Sequence, residues 1–425
     1  MDGEAVIEQR LLYDGETRSL DRSGWVKWSL YFLMAFPVVD YGLRLQKIHV
    51  IGMVWDKVVL LILLGAAILR FAAGQQFPRF RWYKYAGWFI LFALALVFAG
   101  LMSPIIAIQG FRIDVYYMLY AFLIPMLISP DDVIRLLHIG ASVAILIAVH
   151  GIYQYIVKTP IPAGFVDVAE HVRTRVFSVL ASPNELGAYM ALMTPIVVGL
   201  ALYEQDRWRK WMYGIGAVLC AITLLFTFTR GAWGALAISL LIMAILFERR
   251  LLILLVVFGV VAYFLPPIHH RIADLFSPSY MIKATQTGGR IVHWLTAFDK
   301  LSQNPLLGVG LGHYGGAVAA DYHLAIYSDN YYAKTMGETG IIGLSLFLAM
   351  HLALARELFQ NSLRRTGRTR YLLIGGMTGI VAVLIHNSLE NVFESAPMAA
   401  SYFVYAALFL ILGAQSVKEG AHDQN

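Results

Sequence analysis

Apolar residues run in long blocks along this chain, separated by short polar stretches. A helix that crosses a bilayer needs about 20 predominantly apolar residues. Blocks of that kind occupy 25–43, 50–72, 84–102, 112–129, 133–157, 183–203, 211–228, 231–247, 250–267, 337–356, 371–389 and 396–414. The first is interrupted by Pro37 and Asp40, and the fourth by Pro125. The pattern predicts an all-α polytopic membrane protein with about 12 transmembrane helices. It divides the chain into an N-terminal tail (1–24), nine spans (25–267), a large loop (268–336), three further spans (337–414) and a C-terminal tail (415–425).

A loop as long as 268–336 is usually functional or disordered. Its composition is not that of disorder, since it holds Trp294, Phe298, Leu301, Tyr314, Tyr322, Tyr331 and Tyr332. Ile291, Trp294, Leu295, Phe298 and Leu301 follow helical spacing, and Asn304-Pro305 should end that helix. We expect a large ordered loop carrying short helices, lying at the membrane interface with Trp294 and Phe298 facing lipid or the bundle.

Composition sharpens the class. The chain of 425 residues is 59% hydrophobic and 14% charged, with mean hydropathy +0.65, whereas a soluble domain carries about 25% charged residues. The net charge of +6 comes from short basic loops, so it reports topology rather than nucleic acid binding. Arg70/Arg79/Arg81/Lys84, Arg207/Arg209/Lys210, Arg249/Arg250 and Arg364/Arg365/Arg368/Arg370 all fall on one side if the N-terminus is cytoplasmic. The polar first 24 residues and the lack of a small-residue cleavage site predict no cleavable signal peptide. The single cysteine, Cys220, excludes an internal disulfide. No histidine or cysteine spacing suggests a metal, and no cofactor is expected.

Against this topology, Arg173, Arg175, Arg230 and Arg290 stand on the opposite, non-cytoplasmic face. Arginines at span ends on that side are costly unless they serve something anionic, and a guanidinium fork matches phosphate oxygens. Four local patterns surround them. Arg173-Thr-Arg175 precedes Ser182-Pro183-Asn184-Glu185, where Ser and Pro make a sensible helix start and the arginines make an anion site. Arg230, in Thr229-Arg230-Gly231, either snorkels at the interface or faces the bundle interior. Thr287-Gly288-Gly289-Arg290 leads to Gly308, Gly310 and Gly312, which lack the lysine of a P-loop and predict tight turns with close backbone approach. Asp329, in Ser328-Asp329-Asn330-Tyr331-Tyr332 ahead of Gly337-Glu338-Thr339-Gly340, is either a helix N-cap or a general base near arginines. His386-Asn387, Glu390 and Glu394 either line the same cavity or satisfy a polar pore.

Taken together, the phrase Phe177–Asn184, Thr-Arg-Gly at 229–231, Gly289-Arg290 with Trp294, Asn304-Pro305-Leu-Leu-Gly-Val-Gly-Leu-Gly and Asp-Asn-Tyr-Tyr…Gly-Glu-Thr-Gly-Ile-Ile-Gly occur in one order. In that order, over roughly 170–350, the chain resembles the O-antigen polymerase/ligase superfamily of bacterial inner-membrane glycosyltransferases. The resemblance implies transfer of an undecaprenyl-pyrophosphate-linked glycan to an acceptor hydroxyl at the periplasmic face, without nucleotide sugar or metal. It maps the family's arginines onto Arg230 and Arg290, and onto Arg173 or Arg175. Ligases of the family carry His-Asn where this chain has Asp329-Asn330, which shifts the expectation toward the O-antigen or exopolysaccharide polymerase branch; His313 and His323 lie nearby in sequence.

The expected reaction is a single, inverting displacement. Arg230 and Arg290 would neutralise the departing pyrophosphate, and Arg173 or Arg175 would hold it or the first sugar. Asp329 would deprotonate the acceptor. Trp294, Tyr331 and Tyr332 would offer flat surfaces to sugar or prenyl chain, with His323, Asn330 and Glu338 also in contact with substrate. The rival expectation is a transporter of lipid-linked sugars, which would bind near the membrane midplane. The expected partners are the lipid-linked donor, a sugar or lipid-linked acceptor, membrane lipids and polysaccharide assembly proteins.

Overall fold

The computed structural model describes residues 24–46, 49–76, 78–99, 103–161, 174–264, 266–274, 277–286, 289–325 and 327–414. Among them, all regular structure is helical. In chain order the helices are α1 (Gly24–Met34), α2 (Phe36–Leu45), α3 (His49–Ala72), α4 (Trp82–Phe98), α5 (Pro104–Val115), α6 (Met118–Leu127), α7 (Pro130–Ile156), α8 (Pro183–Tyr203) and α9 (Arg207–Phe226). They continue as α10 (Arg230–Leu246), α11 (Leu251–Phe264), α12 (Pro266–Ala273), α13 (Pro278–Thr285), α14 (Arg290–Gln303), α15 (Ala317–Asp321), α16 (Tyr331–Arg364), α17 (Gly367–His386) and α18 (Ala396–Ala414).

Every apolar block of the sequence coincides with helix. Among the described residues, seven helices are long and apolar enough to cross a membrane, or eight if the bent pair α5–α6 is one span. The other blocks form shorter helices: α4 and α10 have 17 residues each, α11 has 14, and the first block splits into α1 and α2 at Ala35. Pro37 sits in the first turn of α2, where its missing N–H costs nothing, and Asp40 pairs with Arg44 at 3.1 Å.

Two predicted boundaries are corrected. The fourth block starts earlier, at Pro104, and its 46° bend falls between α5 and α6 rather than at Pro125. Pro125 lies inside α6, and the Ala121 carbonyl four residues before it accepts a hydrogen bond from the Tyr83 hydroxyl at 3.2 Å. That side chain replaces the bond proline cannot make. The tenth block starts at Tyr331 rather than 337, and its helix breaks at Gly340, where φ is 65°.

The core is centred on α8 and α18, whose spanning windows are 78% and 94% buried. Helix α8 packs along α17 through glycines: a side chain at Gly375 or Gly379 would run into the carbonyls of Pro195 and Leu192. Small residues let backbones approach this closely in a membrane bundle. The start of α8 is capped as its sequence suggests, with Ser182 Oγ accepting from Glu185 N at 3.1 Å. Above the bundle, α14 packs Ala297 against Tyr314, Ala333 and Met336. The Asn304-Pro305 stop holds, since Asn304 is the C-cap of α14.

Candidate functional site

The site gathers around the N-terminal ends of α8, α10 and α14 and the turn that precedes α16. The segment before α8 turns at Ser178, where φ is 50°, and is pinned by α7. Gln154 Oε1 accepts from Phe177 N at 3.1 Å and Ser178 N at 2.7 Å, and Ser178 Oγ donates to Ile147 O at 2.8 Å. Arg175 is thereby turned inward, with 8% of its surface exposed. Its Nε donates to Thr227 O at 3.1 Å, and its Nη2 donates to Asn184 Oδ1 at 3.0 Å and Thr229 Oγ1 at 3.3 Å. Burial and the charges of Arg230 and Arg290 push the Arg175 guanidinium down to about 10, with Glu390 opposing them. It therefore stays cationic at neutral pH.

Arg230 occupies the first turn of α10, the end of a helix that favours an anion. Its Nη1 contacts Asp274 Oδ2 at 3.1 Å and Arg271 O at 3.3 Å. The neighbouring Gly231 leaves room for the His386 ring, which a side chain there would meet at 3.1 Å. Arg290 opens α14, and its Nε meets Asp329 Oδ2 at 3.1 Å, with both side chains partly open to solvent. Asp329 has φ 49°, a backbone conformation few residues other than glycine adopt.

A second carboxylate completes the cluster. Asn184 Nδ2 donates to Glu390 Oε2, so one amide links Glu390 to Arg175. Burial and the negative charge of Asp329 push Glu390 up to about 7, against the pull of Arg290. Three neighbouring arginines and two carboxylates form a field suited to a multiply charged anion beside a proton acceptor. Among the described residues, no group of three or more His, Cys, Asp or Glu side chains is arranged to hold a metal ion.

The sequence-predicted residues divide. Arg175, Arg230, Arg290 and Asp329 come together; Arg173, Thr287 and Gly288 lie outside the described residues. The N-cap reading of Asp329 is corrected: the cap of α16 is Asn330, whose Oδ1 accepts from Tyr332 N at 3.0 Å and Ala333 N at 3.1 Å. That leaves the Asp329 carboxylate to Arg290 and spends the Asn330 side chain on the backbone. Tyr331 is 2% exposed, with its hydroxyl on Asp114 at 2.5 Å, so its ring packs the core and presents no face to a ligand. Glu338 is likewise fully buried, beside Lys334. Tyr332 donates to Leu384 O at 2.8 Å. Trp294 is half-buried on α14, and His323 is exposed, with φ 56°, after α15.

The glycines act as their spacing suggests. Gly308, Gly310 and Gly312 have φ of 70°, 101° and 74°. Val309 N and Gly310 N donate to the Gly337 and Glu338 carbonyls, each at 2.9 Å, and Ile341 N donates to Pro305 O at 2.9 Å. The loop lies backbone to backbone against the broken helix.

Residues 215–348 match the O-antigen ligase family model. The match supports the O-antigen polymerase/ligase superfamily that the sequence resembles, and it takes in Arg230, Arg290 and Asp329. No curated protein matches the chain. The family and the apolar helices together imply a multi-pass inner-membrane protein of the O-antigen ligase/polymerase type, a glycosyltransferase-like enzyme. Asp274 escaped the sequence reading, and Glu390 was left there between the cavity and a polar pore; the structure puts it beside the arginines. Asn184 looked like part of a helix start, and Glu390 joins the arginines only through a partner 206 residues away.

Proposed function

We propose that the protein is an inverting glycosyltransferase that moves an undecaprenyl-pyrophosphate-linked glycan to a sugar hydroxyl at the periplasmic face, acting as an O-antigen or exopolysaccharide polymerase. The observation that carries this reading is the mutual placement of Arg175, Arg230 and Arg290 with Asp329 on Arg290. The reading takes the N-terminus as cytoplasmic and every apolar block as a span, a topology in which that cluster would face the periplasm. Attachment to lipid A–core is the second reading, favoured by the description of the matching family as O-antigen ligase. Asp329 in place of a histidine favours the polymerase.

In the free protein, carboxylates occupy two of the guanidiniums: Asp274 on Arg230 and Asp329 on Arg290. The donor pyrophosphate competes for the same forks and, on Arg290, releases Asp329. The acceptor oxygen then bonds to the anomeric carbon while its proton passes to Asp329. The bond from that carbon to the pyrophosphate oxygen breaks with its electron pair, and the arginines stabilise the charge that develops. Glu390, through Asn184, sets the orientation of Arg175.

The test uses purified protein with undecaprenyl-pyrophosphate-linked O-antigen repeat units, excess chelator and no nucleotide sugar. A ladder of longer lipid-linked glycans, lost in Arg290→Ala and Asp329→Asn, supports the polymerase. Transfer only after lipid A–core is added makes the protein a ligase. Absence of transfer to either acceptor, with repeat units moving across proteoliposome membranes, replaces the reading with a transporter.

A further inference from the structure

Directly below the Asp329 turn, and outside the arginine cluster, lies a buried group of charges that the reaction above does not use. Lys334, with 2% of its side chain exposed, holds Asp114 at 2.7 Å, Glu394 at 3.0 Å and Glu338 at 3.3 Å, three carboxylates that are themselves 0–7% exposed. The Tyr331 ring lies under the ammonium, 4.7 Å from its centroid. Asp114 comes from α5, Glu338 from the next turn of α16, and Glu394 from the single 3-10 turn Val392–Glu394 ahead of α18.

Such a cluster is a poor way to gain stability. Taking four charged groups out of water costs about as much as their attraction returns, and well-packed apolar residues often do as well. What it supplies is position. Two of the carboxylates also tie down another piece of chain: Glu394 Oε2 accepts from Ala317 N at 3.1 Å, and Glu338 Oε1 from Tyr314 N at 3.3 Å. Above it, Ser328 N donates to Gly315 O at 2.9 Å, and Tyr331 N to Asn387 O at 2.8 Å. Asn391 Nδ2 donates to the same Gly315 carbonyl at 2.6 Å. The turn that carries Asp329 and the segment that carries Glu390 are thus laced to one loop, and Lys334 is the knot beneath it.

We propose that Lys334 is a positioning residue: its ammonium draws Asp114, Glu338 and Glu394 together under the Ser328–Asn330 turn and so fixes the Asp329 carboxylate opposite Arg290. The inference rests on the reading that Asp329 works in the transfer site. Lys334 itself touches no substrate, so its removal acts on turnover through Asp329 and leaves the arginines able to hold the donor.

The experiment is a double-mutant cycle between Lys334→Met and Asp329→Asn, with turnover measured on undecaprenyl-pyrophosphate-linked O-antigen repeat units and binding measured with undecaprenyl pyrophosphate. We expect Lys334→Met to lower kcat by about tenfold or more with donor affinity changed by less than about twofold. In the Asp329→Asn background the same change should cost little further, because coupled residues do not add. Losses that multiply across the cycle overturn the inference and leave the proposed function standing. Full turnover by Asp329→Asn alone overturns both. A charge-free variant, Lys334→Met with Asp114→Asn, Glu338→Gln and Glu394→Gln, guards against misfolding: it should give a monodisperse protein that stays slow. Full turnover in that variant overturns the inference.

Discussion

Arg290 presents its Nε to Asp329 and keeps a planar fork within reach of solvent. A fork binds two phosphate oxygens at once, and a lysine ammonium cannot reproduce that geometry. Arg290→Lys should therefore slow transfer by on the order of 100-fold, close to Arg290→Ala, as expected for loss of a group that stabilises transition-state charge. Near-normal polymer from the lysine variant would remove two-pronged recognition. Glu390 gives a pH test. Its folded proton affinity is raised from the usual 4.5 to about 7, so between those values the folded protein holds a proton that the unfolded chain has lost. That contribution to stability is complete below about pH 4.5 and disappears as the pH rises through about 7. Glu390→Gln should melt like the parent at pH 5 and higher than the parent at pH 8. Equal melting at pH 8 would mean that the carboxyl is not held as described. The outer arginines were legible in the sequence because a cation at the far end of an apolar span is expensive. Glu390 was legible only as an open choice between cavity and polar pore, and Lys334 not at all, because their partners Asn184 and Asp114 lie 206 and 220 residues away.

At the scale of elements, the break in α16 is the least legible feature. Gly-Glu-Thr-Gly-Ile-Ile-Gly reads as the start of a span, and nothing local marks Gly340 as the position that leaves the helix. The reason is tertiary: at φ 65°, Gly340 meets Leu306 so closely that a side chain would overlap its carbonyl. With ψ at −166° the backbone is in a region essentially confined to glycine, which costs another residue roughly 1–3 kcal/mol before any overlap is counted. Gly340→Ala should lower the melting temperature in detergent and reduce turnover together, since the loop at 305–310 and the turn carrying Asp329 both lean on this break. A variant with unchanged melting would show that the break does not depend on the glycine. By contrast, helix α14 was legible from side-chain periodicity and from its Asn304-Pro305 stop. It is an amphipathic helix with a buried Ala297 and with Leu295 and Phe298 turned outward.

At the scale of the whole molecule, the charge pattern of the loops predicts which ends of the helices share a side. With Cys220 replaced by serine, Lys300→Cys should react with a membrane-impermeant maleimide in intact spheroplasts, and Arg249→Cys only after permeabilisation. The opposite result would turn the protein over in the membrane and remove the periplasmic reading. The apolar blocks were legible throughout; their division into full spans and shorter helices was not, because hydropathy does not register where a helix bends or stops. The seam between α8 and α17 carries this over to function. Asn184 stands at the N-terminal end of α8, and Glu390 follows the C-terminal end of α17, so the gap their hydrogen bond closes depends on how near the two backbones lie at Gly375 and Gly379. Those glycines work as the fulcrum of a pair of tongs. A valine at 379 would touch nothing chemical, yet it would open the jaws at the far end, so that, on the proposed function, a lesion deep in the bundle would present as a faulty grip on pyrophosphate.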